Sequence, residues 1–519
     1  MTDRAPDLFV GIDAGTTGVT VAVFDAAGRE QSSAYREYPC LYPHPGWVEQ
    51  DTETVWRSVC SACRSAVAGL SQGIIRSVGI SSQRGTFVLL DEDKRPLGPG
   101  VVWNDSRAAD IEDEISRLID PDRFRELTGM PLSASWTSAK LYWLRERMPE
   151  LWARVAHVCN DQEYFLYRLG AEGLETDPSS LTLNGMLDIR KLTWSAELCE
   201  ALGIDNALLP PVGSPAAQAG VLSREAASET GLPAGVAICR GGGDQQCAAV
   251  GAGVVRQGLA EVTVGTAAML VAHLERPELV TGRAPYVGAH AVPGKWDAEG
   301  GAFSIGGCLR WWRDTVATDE AAEAGRLGRS PYDVMAETAA KAPPGSRGLL
   351  FHPFMAGQVT PFYDASARGG LFGLGLDHDR ACVTRALFEG CAMEMRLMVD
   401  AVDRDLEGGI RELRITGGGT KSPVFLKIQA DVMGRTLVKP AYGECTVLGA
   451  AILGAVGAGC FDDVEQGVAA MVRTGATVEP DRSLDGLYGD LHGLFIACYR
   501  SLSGGETYGR LFDFQKKYY

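Results

Sequence analysis

A strand–turn–strand pattern that occurs twice is the feature that most constrains the fold. Near the N-terminus, FVGIDAGTTGVTVAVFD (residues 9–25) sets Asp, Gly and Thr between two segments rich in residues that favour β-strands. LAEVTVGTAAMLVAHLE (residues 259–275) repeats the order of strand, Gly-Thr turn and strand near the middle of the chain. A hairpin repeated at the start of each half indicates an internal structural duplication. The sequence therefore predicts two α/β lobes that face each other across a cleft, to which each lobe brings a Gly-Thr turn.

The first turn has the composition of an anion-binding loop. Gly15 and Gly18 permit positive φ and close backbone approach, while Thr16 and Thr17 offer hydroxyl and N–H groups. It is not a P-loop, because no Lys-Ser or Lys-Thr pair follows and a strand rather than a helix comes next. Asp13 would repel a phosphate unless a cation lay between them, which makes it a candidate Mg²⁺ ligand. The alternative is an ordinary hairpin turn in which Gly and Thr serve the backbone alone.

Two further glycine-rich segments follow strands. ELRITGGGTKSPVFLKIQADVMGR (residues 412–435) predicts a strand, three glycines and a helix that begins at Ser422. The glycines suit a flat group such as adenine, and a simple strand-to-helix turn is the alternative. AICRGGGDQQCAAVGAGVV (residues 237–255) predicts a strand end, three glycines and a helix, with Asp244 at the junction of the two halves. Asp244 is either an acid placed for chemistry or a helix N-cap, which is a common use of Asp at this position.

The composition is that of an ordinary globular protein and argues against several partners. A chain of 519 residues is long enough for two domains. Its 49 basic and 66 acidic residues give a net charge of −17, which disfavours binding to nucleic acid or an anionic membrane. The sequence shows neither a signal peptide nor an apolar run of the roughly 18–20 residues that span a membrane, so we expect a cytoplasmic protein. The thirteen cysteines lack paired spacing, which predicts buried thiols rather than disulfides or a metal site.

Several motifs occur together in one order: GIDAGTTG, GWVEQD, WNDSRA, GGGDQQ, VTVGT, TGGG with ADVMGR, and TVLGAA. Each motif alone is weak, but the ordered set resembles the FGGY carbohydrate kinases. The resemblance extends from residue 9 to residue 461. It implies the α/β, two-lobed actin-like ATPase (ribonuclease H-like) fold, with the active site in the interdomain cleft. It also implies ATP and Mg²⁺ as cofactors and a small sugar or polyol as substrate.

The resemblance assigns roles to individual residues. Asp244 matches the family's catalytic base, and Asp13 together with Asp244 would serve the metal. The residues implied to bind ATP are Gly15, Thr16 and Thr17 in the first turn, Gly265 and Thr266 in the second, and Gly418, Gly419 and Ser422 near the adenosine. In the implied mechanism a sugar hydroxyl attacks the γ-phosphate in line, Asp244 accepts its proton, and lobe closure excludes water.

The segment at residues 83–85, which the resemblance implies binds the acceptor, combines features of two branches of the family. Gln83 and Arg84 match the pair that reaches the acceptor in glycerol kinases, and Gln245 follows the same branch, but Gly85 replaces the acid of glycerol kinases. WNDSRA, SAKLYWLRE and the segment around TGGG look more like xylulose kinases. We therefore expect a xylulokinase-like enzyme that phosphorylates a pentulose such as D-xylulose. Glycerol or another polyol or ketose, including a quorum signal, is the alternative.

Aromatic and basic side chains near this segment have two interpretations each. Trp103, like Trp136, is either an apolar wall for a carbon chain or an aromatic residue of the core. Arg84 suits polyol oxygens or a carbonyl, and a surface salt bridge is its alternative. A different class of function also stays open, because actin-like filament proteins and chaperone-like ATPases use the same fold without a sugar acceptor. A regulator that has lost transfer is disfavoured by the intact Asp13 and Asp244.

The two halves predict two domains. Residues 1–254 would form the N-terminal lobe, with the acceptor segment, the catalytic Asp and the first phosphate turn. Residues 255–519 would form the C-terminal lobe, with the second phosphate turn and the adenosine site. An inserted, partly helical section is expected at residues 105–206, with Trp194 beginning a helix. The Gly- and Ala-rich run at residues 447–456 predicts a helix packed closely on a sheet, and a homodimer is left open.

Overall fold

A six-stranded sheet organises the first half of the chain in the computed structural model, which describes residues 5–518. The strands of this half are β1 (Asp7–Ala14), β2 (Gly18–Asp25), β3 (Glu30–Glu37), β4 (Glu49–Gln50), β5 (Ile74–Ser82), β6 (Phe87–Leu90), β7 (Gly100–Val101), β8 (His157–Asn160), β9 (Leu187–Asp188), β10 (Thr193–Trp194), β11 (Gln218–Val221) and β12 (Ala237–Gly243). The order across the sheet is β11-β12-β5-β1-β2-β3, in which β1, β5 and β12 run parallel. Strands β1 and β2 form the hairpin that the sequence predicts.

The helices of this half cover the sheet and build the section inserted after β7. They are α1 (Thr52–Ala68), α2 (Glu112–Leu118), α3 (Pro121–Thr128), α4 (Thr137–Arg147), α5 (Pro149–Trp152), α6 (Asp161–Leu169), α7 (Ala196–Leu202), α8 (Arg224–Thr230) and α9 (Asp244–Gly251). The insertion is partly helical, as predicted, but Trp194 does not begin a helix. It lies in β10, and α7 begins two residues later because the Ser195 hydroxyl caps it by accepting from the N–H of Leu198, 3.3 Å away.

A seven-stranded sheet organises the second half. The strands of this half are β13 (Leu259–Val264), β14 (Ala268–Leu274), β15 (Tyr286–Ala289), β16 (Trp296–Ala302), β17 (Leu350–His352), β18 (Gly370–Phe372), β19 (Glu412–Thr416), β20 (Leu437–Pro440) and β21 (Thr474–Val478). The helices are α10 (Ile305–Thr315), α11 (Thr318–Leu327), α12 (Pro331–Ala340), α13 (Arg380–Asp405), α14 (Pro423–Met433), α15 (Cys445–Gly457), α16 (Val464–Met471), α17 (Asp485–Gly504) and α18 (Thr507–Tyr518). The order across the sheet is β15-β16-β14-β13-β19-β20-β21.

The two sheets share a core of five strands in the same order. In the first sheet this core is β3-β2-β1-β5-β12, and in the second it is β16-β14-β13-β19-β20. Each core consists of a three-stranded antiparallel meander followed by two strands that run parallel to the first strand of the hairpin. The predicted internal duplication is therefore confirmed by the topology.

Helix α15 belongs to the second half of the sequence but packs on the first sheet. Its apolar residues form one core cluster with residues of β1 and β2. The contact is close enough to require glycine in the sheet, because a Cβ on Gly11 or Gly79 would lie 2.0 or 1.9 Å from the carbonyl oxygen of Val447 or Ala450. The predicted close packing of this run on a sheet is confirmed. The domain boundary between residues 254 and 255 stays a prediction. Helix α15 follows that boundary in the sequence but packs on the sheet that precedes it.

Helix length and cysteine environment can both be described for residues 5–518. None of the helices within residues 5–518 combines the length and apolarity that crossing a bilayer requires. All thirteen cysteines are free thiols, and most are buried, as predicted.

A buried histidine makes the stability of the second lobe depend on pH. The ring of His352 donates from Nε2 to the Phe495 carbonyl, 3.0 Å away, and accepts at Nδ1 from the Tyr508 hydroxyl, 3.2 Å away. Burial lowers the pKa of His352 to about 4. The folded state therefore binds this proton less tightly than the unfolded chain does. The contribution of neutral His352 to the free energy of unfolding is therefore fully present above pH 6.5, and it is lost as the pH falls toward 4.

We expect this histidine to contribute about 3 kcal/mol to the loss of stability between pH 6.5 and pH 4, since one pKa unit corresponds to about 1.4 kcal/mol. Urea unfolding at several pH values should therefore show a shallower pH dependence for His352→Gln than for the wild-type protein. His44→Gln is the control, because His44 is exposed and should leave the slope unchanged. An unchanged slope in His352→Gln would contradict this assignment.

Candidate active site

The first Gly-Thr turn is held from behind by three polar contacts. The carbonyl of Gly15 accepts from the Tyr38 hydroxyl, that of Thr16 from Nε2 of Gln50 at 2.6 Å, and that of Thr17 from the N–H of Tyr38 at 3.2 Å. Because the peptide unit is planar and trans, carbonyls that point into the lobe leave the N–H groups of Thr16 and Thr17 on the opposite side of the turn. Thr17 is exposed there. The turn thus presents backbone donors without a basic side chain, as an anion site requires.

The second Gly-Thr turn lies against the N-terminus of α10. A Cβ on Gly306 would come within 2.1 Å of the Gly265 carbonyl oxygen, so the helix and the turn touch through their backbones. The N–H of Gly307 donates to the Thr266 carbonyl at 3.1 Å. Nη2 of Arg310 lies 3.4 Å from Oγ1 of Thr266, and Gly265 and Thr266 are both exposed. This turn therefore combines a helix N-terminus with a nearby guanidinium, both of which favour an anion.

The three glycines after β19 form an open shelf beside the second turn. Gly417 has a φ of +79°, and a Cβ on Gly419 would lie 2.4 Å from Cγ1 of Val264, so these two positions exclude larger residues. A Cβ on Gly418 would meet no atom within 4 Å, which leaves its face free for a flat group. Ser422 is the N-cap of α14, where its hydroxyl accepts from the N–H of Phe425 at 3.4 Å. The nucleotide roles of Gly418, Gly419 and Ser422 stay predictions.

Asp13 is the acid at the end of β1, beside the first turn. Its Oδ1 is buried and has no hydrogen-bond partner among residues 5–518. Burial, reinforced by the charge of Asp244, raises the pKa of Asp13 to about 7. A divalent cation would satisfy this carboxylate and neutralise the repulsion between the two acids, so the residues fit Mg²⁺. No cluster of three metal-binding side chains occurs in the described part of the chain.

Asp244 is the first residue of α9 and not its cap. The N-cap is Gly243, and no side chain caps the helix, so the N-cap interpretation of Asp244 is not supported. Oδ1 of Asp244 accepts from the N–H of Gln245 at 2.9 Å and lies 3.4 Å from Nε of Arg84. The Asp244 side chain is 30% exposed at the junction of the lobes. Burial raises the pKa of Asp244 although Arg84 acts in the opposite direction, so the carboxylate is a better proton acceptor than an exposed one.

Arg84 is buried, which rules out the surface salt bridge considered from the sequence. Its Nη1 and Nη2 donate to Oε1 and Oε2 of Glu299 at 2.6 and 2.8 Å. The side chains of Arg84 and Glu299 are 3% and 0% exposed. Its Nε lies on the side of Asp244. Arg84 therefore reaches the candidate base, while Glu299 uses two of its five N–H groups.

Gln83 is also engaged by the protein. Its Nε2 donates to Oε1 of Gln50 at 2.8 Å and to Oδ2 of Asp161 at 3.0 Å, and all three side chains are buried. Because Gln50 in turn donates to the Thr16 carbonyl, these contacts connect the acceptor segment to the first turn. The sequence does not predict these roles of Gln50 and Asp161. Gln50 belongs to the motif GWVEQD, but no local pattern around it predicts its contact with Gln83.

The tryptophans occupy different environments. Trp103 is 38% exposed, and its Nε1 donates to Oγ1 of Thr16 at 3.0 Å, so it borders the first turn. Buried Lys140 supports this loop by donating from Nζ to the Trp103 carbonyl at 2.5 Å. Trp136 donates instead to the Pro131 carbonyl at 2.7 Å and packs edge-on against Tyr286, which favours a structural role.

Two residues beside Arg84 and Asp244 shape the space that an acceptor would occupy. Gly85 has a φ of +73°, a conformation that disfavours any residue with a Cβ, and a Cβ there would lie 3.4 Å from the Cβ atoms of Trp103 and Leu183. An acid in this backbone conformation would be strained. Oε1 of Gln245 is buried and has no hydrogen-bond partner among the described residues.

Models of the FGGY family of carbohydrate kinases match both halves of the chain: the N-terminal domain matches residues 8–251, and the C-terminal domain matches residues 260–458. The chain is 30% identical to a glycerol kinase of Dechloromonas aromatica, over 95% of this chain and 97% of that protein. It is 28% identical to a xylulose kinase of Lactococcus lactis, over 88% and 89%. The solved xylulose kinase of Rhodospirillum rubrum superposes with a TM-score of 0.85 at 28% identity, covering 96% of this chain and 99% of that one. The predicted two-lobed actin-like fold is confirmed.

Proposed function

Because the chain belongs to the FGGY family of carbohydrate kinases, we propose that it transfers the γ-phosphoryl group of ATP to a hydroxyl of a pentulose such as D-xylulose. The observation that carries the proposal is the position of Asp244. Its carboxylate is partly exposed at the lobe junction, is approached by Arg84, and lies close enough to Asp13 to raise that residue's pKa. One carboxylate thus faces both an acceptor segment and the candidate metal ligand.

The chemistry assigned to the chain is positioning and proton transfer. The N–H groups of the first turn, with Thr266 and Arg310 at the second, would orient the phosphates between the lobes. Asp13 and Asp244 would hold Mg²⁺, which neutralises charge on the phosphates when it is bound. The acceptor hydroxyl attacks the γ-phosphorus as the bond to the β-phosphate oxygen breaks, and Asp244 takes the hydroxyl proton. Trp103 and lobe closure would keep water away from the reacting atoms.

The pocket favours a neutral acceptor longer than glycerol. Gly85 has no side chain where glycerol kinases carry an acid, so a four- or five-carbon chain should have more room beside Arg84. Glu299 already accepts one N–H from each of Nη1 and Nη2, so Arg84 offers an acceptor fewer donors than a free guanidinium would. Asp244 and Glu299 add negative charge around it, which disfavours an acceptor that carries a carboxylate.

An acceptor panel tests this proposal. ATP turnover is measured with glycerol, erythritol, D-xylulose, L-xylulose and D-ribulose, and without acceptor. We expect D-xylulose to give the highest kcat/KM and to exceed glycerol by tenfold or more, since a missing hydroxyl contact is worth about 1.5–3 kcal/mol when its partner is charged. A clear preference for glycerol would overturn the pentulose assignment. Steady hydrolysis that no acceptor stimulates would favour the actin-like or chaperone-like ATPase alternative.

Removing the hydroxyl of Thr17 or Thr266 should weaken the use of ATP. A hydrogen bond to a charged phosphate is worth about 1.5–3 kcal/mol, so kcat/KM for ATP should fall by roughly ten- to a hundredfold in Thr17→Ala and Thr266→Ala. The KM for the acceptor should stay within about twofold of the wild-type value. Thr477→Ala, on the exposed edge strand β21, is the control. Wild-type ATP kinetics in both cleft variants would show that the two turns are structural only.

A further inference from the structure

The ion pair between Arg84 and Glu299 crosses the interface between the lobes. Arg84 follows β5 of the first sheet, whereas Glu299 lies on β16 of the second. The two side chains meet in a bidentate contact at 2.6 and 2.8 Å. Gln246 of α9 supports the acid by donating from Nε2 to Glu299 and to Asp297, each at 3.0 Å. The second lobe thus fixes the orientation of a guanidinium that the first lobe supplies.

Two carboxylates compete for this one guanidinium. Glu299 has the short bidentate contact, whereas Asp244 lies 3.4 Å from Nε, beyond the usual 2.7–2.9 Å of a charge-assisted hydrogen bond. The stem of Arg84 cannot retreat, because it lies against Gly243, where a Cβ would come within 2.4 Å of Arg84 Cδ. Without the charge of Glu299, Asp244 would be the nearest ionised partner left for the guanidinium.

We propose that Glu299 is a positioning residue that keeps the long contact between Arg84 and Asp244 from tightening into a short, bidentate ion pair, so that the Asp244 carboxylate stays free to take the acceptor's proton. This inference rests on the proposed role of Asp244 as the base. It assigns an effect on kcat to Glu299, although Glu299 forms no hydrogen bond with Asp244. It also makes the competence of the base depend on contact with the second lobe, since Arg84 is drawn away only where Glu299 meets it.

The test compares three variants under saturating substrates. Glu299→Gln should lower kcat by about 100-fold while the KM for ATP stays within threefold, because the freed guanidinium turns to Asp244. Glu299→Asp keeps the charge and should stay within tenfold of the wild-type kcat. The double variant Arg84→Gln/Glu299→Gln removes both members of the pair and should recover at least tenfold in kcat over Glu299→Gln. Its acceptor KM should exceed the wild-type value, because Arg84 is gone.

A matched control separates this effect from general damage to a buried ion pair. Glu389 pairs with Arg385 at 2.7 Å within α13, and both side chains are buried. Glu389→Gln should lower the unfolding temperature without lowering kcat. If Glu299→Gln does not fold, the Asp variant and the double variant carry the test, and a thousandfold loss of kcat in the double variant would overturn the proposal.

A crystal structure of Glu299→Gln gives a readout that does not depend on activity. We expect the Arg84 guanidinium within 3.0 Å of both Asp244 carboxylate oxygens. A guanidinium that stays in its wild-type place overturns the proposal, as does a kcat within threefold of wild type or a loss that the double variant does not relieve. Failure of the proposed function has a different signature, which is a wild-type protein that no acceptor in the panel stimulates.

Discussion

Asp244→Asn should lower kcat by about 10²- to 10⁴-fold, the usual contribution of a positioned general base. Asn is nearly isosteric and can still accept from the N–H of Gln245, so the start of α9 should be preserved. It cannot take a proton from the acceptor hydroxyl. Steady-state kinetics with saturating acceptor measure kcat, and nucleotide titration measures ATP binding, which should change by less than about tenfold.

Asp485→Asn is the matched control for this experiment. Asp485 is also the first residue of a helix, α17, but it is exposed and lies in the second lobe outside the candidate site. Its substitution should leave kcat unchanged. A near-normal kcat in Asp244→Asn would remove the general-base assignment, and with it the premise of the role proposed for Glu299.

Asp13→Asn should separate activity from stability. Activity at limiting Mg²⁺ should fall by about 100-fold or more, since the variant loses the anionic oxygen offered to the cation. The folded protein without metal should become more stable at pH 8. Because the folded-state pKa of Asp13 is raised to about 7, its ionised carboxylate destabilises the fold above that pH, by about 1–4 kcal/mol at about 1.4 kcal/mol per pKa unit.

The sign of this effect can be checked by changing the pH. Below pH 4 the carboxyl group is protonated in both the folded and unfolded chains, so the stability gained in Asp13→Asn should disappear there. Asp7→Asn, at the start of the same strand, is the control, since Asp7 pairs with Arg76 near the surface. A loss of stability at pH 8 that accompanies the loss of activity in Asp13→Asn would indicate a structural role instead.

The elements predicted best were those whose signals are local in the sequence. Each hairpin was readable because two β-favouring runs flank a Gly-Thr turn within 17 residues. The three-glycine segments predict the end of a strand and the start of a helix. Gly417–Gly419, for example, lie between the end of β19 and the start of α14. The same short-range signals fixed the position of Asp244 at the beginning of α9.

The contacts that the sequence did not reveal join residues far apart in the chain. Arg84 and Glu299 are separated by 215 positions, and nothing in WDAEGG distinguishes a buried acid from an exposed strand residue. Gln83 matched a family pattern for acceptor contact, yet its amide is used by Gln50 and Asp161. The prediction that Trp194 begins a helix is wrong, because the N-cap of that helix is Ser195, the residue after it. Polar partners of this kind depend on tertiary packing rather than on local preference.

The packing of α15 on the first sheet has a consequence for the order in which the protein matures on the ribosome. Strands β1, β5 and β12 are all synthesised before residue 244, whereas the helix that covers them ends at Gly457. During the synthesis of the intervening segment, the nascent chain carries a sheet face whose apolar cover does not yet exist, a state prone to aggregation. The N-terminal half therefore completes its core only after nearly the whole polypeptide has emerged, and the two lobes finish folding together.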